Sequence, residues 1–281
     1  MNKPPNLNPL HAVFFLSRAR GHLQCKQVER ALADLAEALR LNPQLGDAWM
    51  VRAAVWVERG DYRQALADVE RRLQLEPPEP VALLTRGNLR AQLGELEAAL
   101  ADFTALLQQQ PGTVLALRAR ALSYARLHRF EEALADLNEA VRVDATSADA
   151  WLERGRVFQN LGRYPAALAD YQKALDLKPT EARTYNQYAW MLAACPQPAY
   201  RDGARAVALA QRGCELTNWQ DANLLDTLAA AHAECGRFEE AVAWATKALA
   251  LADAEIQEAV RGHVQLFRDG RPARFEDDVR P

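Results

Sequence analysis

The sequence predicts an all-α chain built as a solenoid of stacked helix pairs. Three observations carry that prediction. Arg18, Arg52, Arg86, Arg120 and Arg154 recur every 34 residues, and Asp34, Asp68, Asp102, Asp136 and Asp170 do the same. Ala31, Ala65, Ala99, Ala133 and Ala167 form a third column with that period. Pro43, Pro77, Pro111 and Pro179 form a fourth, with Ala145 at the place of the missing proline. A repeat of this length is a helix pair that cannot bury its own apolar faces, so it stacks on its neighbours.

The elements follow in order. Residues 1–11 are rich in Pro and Asn and read as a tail. Residues 12–181 hold five regular repeats. In each, a first helix carries a large side chain (Trp49, Leu83, Trp151) and, four residues on, a small one (Ala53, Gly87, Gly155). Large-against-small packing lets neighbouring helices nest. Gly60, Gly94 and Gly162 mark the turn inside three repeats, and proline ends the second helix. Residues 182–253 read as two divergent repeats. The segment CPQPAYRDG at 195–203 inserts about five residues into the first of them, and the Arg and Asp columns give way to Tyr188 and Leu209, then to Leu228 and Trp244. Residues 254–268 read as a helix that caps the open end, as a solenoid requires. Residues 269–281 read as a mobile tail.

At this point the residues resemble a known family. The stretch AWLERGRVFQNLGRYPAALADYQKALDLKP at 150–179 is similar throughout to the tetratricopeptide repeat (TPR). The resemblance extends from residue 12 to about 253. The Arg86-Gly87 and Arg154-Gly155 pairs, with the ALAD segments, resemble a common bacterial RG/ALAD subtype. The fold implied is a right-handed α-solenoid of about seven stacked TPR helix-turn-helix repeats plus a C-terminal capping helix.

The arginine and aspartate series are read as architecture. Each Arg lies on a first helix and each Asp on a second helix. They stand 16 apart within a repeat and 18 apart across a junction, and either spacing lets them meet. A half-buried ion pair adds modest net stability but penalises misregistered stacking. The ladder of ten charges therefore reads as a registry device. As a row of arginines offered to an acidic ligand it would be neutralised by its own aspartates.

Little else in the chain suggests chemistry. GxxxxGK[ST], HExxH, GxSxG and GxGxxG are all absent. The His22/Cys25 and His232/Cys235 pairs lack an orienting third group for nucleophilic catalysis. Cys25, Cys195, Cys214 and Cys235 have no CxxC spacing and read as reduced thiols, so neither a metal nor a cofactor is expected. A net charge of −3 argues against a nucleic-acid binder. No run of eighteen apolar residues exists, so no membrane span is expected, and the expected compartment is the cytoplasm.

The expected activity is therefore non-catalytic. The resemblance implies that first helices line a concave groove holding a peptide or partner helix. Helical spacing nominates Arg118, Leu122, Arg126, Glu153, Arg156, Gln159, Asn160, Arg183, Asn186, Gln187 and Trp190 as the partner-binding set. Arg, Asn and an exposed Trp are residue types that concentrate binding energy. Four arginines favour a protein or peptide partner that is acidic. Trp190 has a second reading, packing against the loop at 195–203. The Lys/Asn clamp of chaperone-binding TPRs is not matched, because Leu16 and Arg20 stand in its place in the first repeat. An alternative is a regulatory or substrate-recruiting segment of a larger enzyme such as a bacterial protein kinase, against which stands the initial Met1. Homo-oligomer assembly through an uncapped first repeat is a third reading.

Overall fold

A computed structural model describes residues 9–275. Among these residues the secondary structure is wholly helical. Seven antiparallel pairs succeed one another. They are α1 (Pro9–Gln24) with α2 (Val28–Leu41), α3 (Gly46–Glu58) with α4 (Tyr62–Leu75), α5 (Pro80–Gln92) with α6 (Leu96–Gln109), and α7 (Val114–Arg126) with α8 (Phe130–Val143). Then come α9 (Ala148–Asn160) with α10 (Tyr164–Leu177), α11 (Ala182–Ala194) with α12 (Gly203–Leu216), and α13 (Ala222–Glu234) with α14 (Phe238–Leu251). A single helix, α15 (Gln257–Arg268), follows. The chain divides within α8 into two compact units, Met1–Asp136 and Leu137–Pro281. Each is a stack of helix pairs, an α-solenoid of repeats.

One turn geometry links the two helices of most pairs. The residue before last in each link adopts a left-handed backbone: Gly60 (φ 78°), Gly94 (83°), Gly162 (68°) and Gly236 (72°). Glycine reaches that region without a Cβ clash. Lys26 and His128 occupy the same column and the same conformation, both at φ 57°. The turn is thus imposed by the helix pair and merely eased by glycine.

Within a pair, side-chain size is matched over 16 residues. A Cβ on Gly87 would lie 2.5 Å from Cε1 of Phe103, and one on Gly155 would lie 2.7 Å from Cε1 of Tyr171. Where the facing residue is aliphatic, the small position holds alanine: Ala53 packs in one cluster with Val69, and Ala19 in another with Leu35. The core of the C-terminal unit gathers Tyr171, Met191, Leu228 and Phe267, each almost wholly buried.

The inserted segment 195–203 is ordered by specific bonds. It contains a single 3-10 turn, Pro198–Tyr200. Arg201 donates from Nε to Glu234 at 2.8 Å and from Nη1 to the carbonyl of Cys195 at 2.9 Å. Asp202 then caps α12 by accepting from the Arg205 amide at 2.9 Å.

Two boundary expectations are corrected. Helix α1 already begins at Pro9, inside the expected tail. The C-terminal segment expected to be mobile is anchored as far as Phe275. Ala273 is 1% exposed, Arg274 pairs with Glu234 at 2.9 Å, and Phe275 packs on Tyr164 with ring centres 6.2 Å apart. A small apolar residue and an arginine with a half-buried partner hold what its polar composition left open. Residues 1–8 and 276–281, the remainder of both expected tails, lie outside the described residues.

Candidate functional site

The arginine–aspartate series meets at the spacing of 16. Arg52 donates from Nε and Nη2 to both carboxylate oxygens of Asp68 at 2.8 and 2.7 Å. Arg18–Asp34, Arg120–Asp136 and Arg154–Asp170 repeat that fork, and Arg86 and Arg90 converge on Asp102. The aspartates are 2–6% exposed. The third guanidinium nitrogen reaches back 16 residues: Arg120 Nη1 donates to Thr104 and Arg154 Nη1 to Asn138, each at 3.0 Å. Each of these arginines therefore ties its own pair to the pair before it. Arg52 and Arg154 also stack on Trp49 and Trp151, with 4.9 and 4.6 Å to the ring centres. Those indoles donate in turn to the carbonyls of Pro43 and Ala145 at 2.9 Å.

The local balance of burial and pairing differs along the ladder. The hydrogen bond from Arg18 holds Asp34 below the usual carboxylate range. Burial pushes Asp170 above its ordinary value despite Arg154. The guanidiniums are occupied by their own repeats, which leaves few donors for a ligand.

A separate cavity of about 790 Å³ opens in the C-terminal unit. Arg156, Gln159 and Asn160 line it from α9, and Arg183, Asn186, Gln187 and Trp190 from α11. These positions share one side because both helices repeat every 3.6 residues and stand one repeat apart. Tyr164, Pro196, Asp221, Asn223, Leu224 and Phe275 complete the lining. The wall is thus a set of guanidiniums and amides facing aromatic rings.

Several of these groups are held in place. The Tyr171 hydroxyl donates to Gln159 Oε1 at 2.8 Å, which turns the amide nitrogen of Gln159 outward as the remaining donor. Asn160 Nδ2 donates to the Arg156 carbonyl at 2.9 Å. Arg183 is tethered to Asp149 at 3.2 Å. Asn186 Oδ1 is buried and meets no protein donor. A buried acceptor in that condition has a standing cost, relieved by a ligand N–H or by water.

The other nominated residues do not line this cavity. Arg118, Leu122 and Arg126 sit on α7 in the N-terminal unit; Leu122 is 50% exposed, and Arg126 donates to the Ala91 carbonyl at 2.6 Å. Glu153 is on α9 but does not line the cavity. Trp190 also departs from expectation. It is only 5% exposed, and its indole lies against the imidazole of His263 on α15, ring centres 5.5 Å apart. The reason is α15, which covers the ring with a fully buried His263–Asp226 pair bonded at 2.8 Å. Trp190 therefore floors the cavity as a fixed surface.

Phe275, Asp221 and Asn223 were outside the nominated set. Asp221 and Asn223 lie at the start of the next repeat's first helix and were reachable by extending the same helical spacing. Phe275 comes from beyond the terminal helix, where no periodicity points to it.

Among the described residues no cluster of metal-ligating side chains occurs, and no helix is long and apolar enough to cross a membrane. The four cysteines are free thiols. Burial raises the Cys214 thiol to about 12, which disfavours the thiolate.

Comparison with known proteins bears on the fold. One tetratricopeptide repeat family profile matches residues 52–123 and 122–193, and a second matches residues 16–80. No curated protein matches the chain. Among solved structures, a tetratricopeptide repeat protein from Parabacteroides merdae superposes with a TM-score of 0.69 at 19% identity, over 92% of this chain and 99% of that one. The C-terminal part of a TPR repeat-containing protein from Cytophaga hutchinsonii gives 0.66 at 16% identity, over 91% and 98%. YrrB, described as a TPR protein with an unusual peptide-binding site, gives 0.56 at 21% identity, over 64% and 93%.

Proposed function

Because this chain belongs to the tetratricopeptide repeat family, we propose that it is a non-catalytic interaction scaffold of the RG/ALAD type that holds an extended, acidic peptide in the cavity between α9 and α11. The observation that carries the reading is the cavity itself, where Arg156 and Arg183 stand with the amide side chains of Gln159, Asn186 and Gln187 over an aromatic floor. Guanidiniums favour carboxylates through charge-assisted, bidentate hydrogen bonds. Gln159, Asn186 and Gln187 match the alternating N–H and C=O groups of an extended backbone. Trp190, Tyr164 and Phe275 offer apolar surface to one side chain of the ligand.

The binding step is an equilibrium, with no bond made or broken. Helices already packed in place lose little entropy on binding, so most of the ordering cost falls on the peptide. The peptide-binding site named for YrrB supports this reading of the fold. Cytoplasmic placement is part of the same proposal.

The experiment compares proteins captured by the unaltered chain and by an Arg156→Glu/Arg183→Glu variant. Both side chains are exposed or tethered only at the surface, so the fold is expected to survive. The reading predicts loss of the captured partner. Identical captured sets would sink the basic groove.

A further inference from the structure

Helix α1 presents a face unlike the equivalent face of any regular repeat after it. At the position equivalent to Phe14 those repeats carry Ala48, Ala82, Ala116 and Ala150, each no more than 2% exposed. At the position equivalent to Gly21 they carry Val55, Leu89, Ser123 and Val157, all at most 4% exposed. Ala48 and Val55 share a cluster with Ala31, Leu35 and Ala38, so helix α2 of the preceding pair covers them. In α1 the sizes are reversed. Phe14 is large and 57% exposed, and a Cβ on Gly21 would meet nothing within 4 Å.

This reversal decides what can cover the face. A repeat stacked in the usual register needs alanine where Phe14 stands, and a benzyl group there would drive into the covering helix. A preceding TPR pair is therefore a poor occupant. The face is instead complementary to itself. Phe14 and Gly21 lie seven residues apart on one helical stripe with Leu10 and Ser17. In an antiparallel pair of such helices Phe14 of each sits over Gly21 of the other. The two-fold axis then falls between Ser17 and Arg18, where the small serine permits close approach.

We propose that this face pairs with the same face of a second copy of the chain, antiparallel, with Phe14 seated on Gly21.

Charge does not oppose the arrangement. Leu10, Phe14, Ser17 and Gly21 are uncharged. The flanking Arg18 and Arg20 are matched within the chain by Asp34 at 2.7 Å and Asp47 at 3.2 Å. Two identical cationic edges can therefore approach without a large penalty, and the interface is isologous, as closed dimers require. The area sets the strength. Sixteen residues of helix span about 24 Å, and one such face falls short of the roughly 800 Å² per partner of a standard interface. The dimer is accordingly reversible and forms at micromolar or higher concentration. The inference is independent of the peptide groove, which lies in the other unit.

The test is sedimentation velocity of the full chain over a wide micromolar range. The expected result is a concentration-dependent monomer–dimer equilibrium that Phe14→Ser weakens roughly tenfold or more, with helix content by circular dichroism unchanged. Gly21→Leu separates pairing from folding: leucine is the better helix former, yet it fills the socket, so α1 gains helicity while association falls. In a Cys25→Ser background, Ser17→Cys lies beside the axis and is expected to give a disulfide-linked dimer on mild oxidation. A strict monomer at every concentration, or a dimer indifferent to both substitutions, overturns the proposal. Rapid Cys25–Cys25 cross-linking of the unaltered chain also overturns it, because the antiparallel pairing keeps those two thiols about 22 Å apart along the helices.

Discussion

At the scale of the residue, matching of size within a pair is as specific as matching of charge. Gly155 exists because Tyr171 faces it, and Gly87 because Phe103 does. Gly155→Ala is therefore expected to destabilise by roughly 1–3 kcal/mol through overpacking. In a Tyr171→Leu background the same change should be neutral or favourable, since alanine already stands opposite an aliphatic side chain at Ala53 and Val69. A double-mutant cycle by urea unfolding measures that coupling, and additive effects would refute it. His232 gives a second prediction. It is 7% exposed, both ring nitrogens lack hydrogen-bond partners, and burial, aided by Arg237, lowers its pKa from the ordinary value of 6.5. The unfolded chain then binds the proton more readily than the folded one below that pH. Stability is full above about pH 6.5 and falls as the pH drops through the range beneath it. His232→Leu should flatten that part of the profile, as read by melting temperature against pH.

At the scale of the element, the helix-to-helix turn shows what a local signal can and cannot reveal. Gly60, Gly94 and Gly162 announced it, while Lys26 and His128 adopt the same left-handed backbone without announcing anything. A residue with a Cβ carries strain there, whereas glycine carries none. Lys26→Gly is accordingly expected to raise stability by about 1 kcal/mol, measurable as a higher urea midpoint with unchanged slope. The terminal helix teaches the converse lesson. Its existence was legible as a cap for the last repeat. Its attachment through His263, Asp226 and Trp190 was not, because those three residues come from three separate helices and share no period. For the same reason helical spacing found the α9 and α11 side of the cavity but overlooked Phe275. It also nominated Arg118, Leu122 and Arg126 on α7, which share the helical register but do not line this cavity.

At the scale of the whole molecule, the fold was legible because repetition is itself a structural statement. Once Arg and Asp recur every 34 residues, only a stack of identical helix pairs places each of them in an equivalent environment. Stability in such a stack is a sum of repeat and junction terms and need not be uniform. The C-terminal unit has a continuous core reaching from Leu152 to Ala273, whereas the first repeats rely on smaller separate clusters. Hydrogen exchange is therefore expected to be slowest in α11, α13 and α15 and faster in α1 to α4. Uniform protection along the chain would contradict this. The arginine fork has one more consequence. Since Arg120 reaches Thr104 behind it and Asp136 ahead of it by the same interval of 16, the array counts its own length in whole repeats. Excising residues 71–104 would bring Arg120 to the distance from Glu70 that it now keeps from Thr104, so the junction closes again. Excising one residue more or fewer would break it. The chain can lengthen or shorten over evolutionary time by complete units, and each junction rejects the fractions.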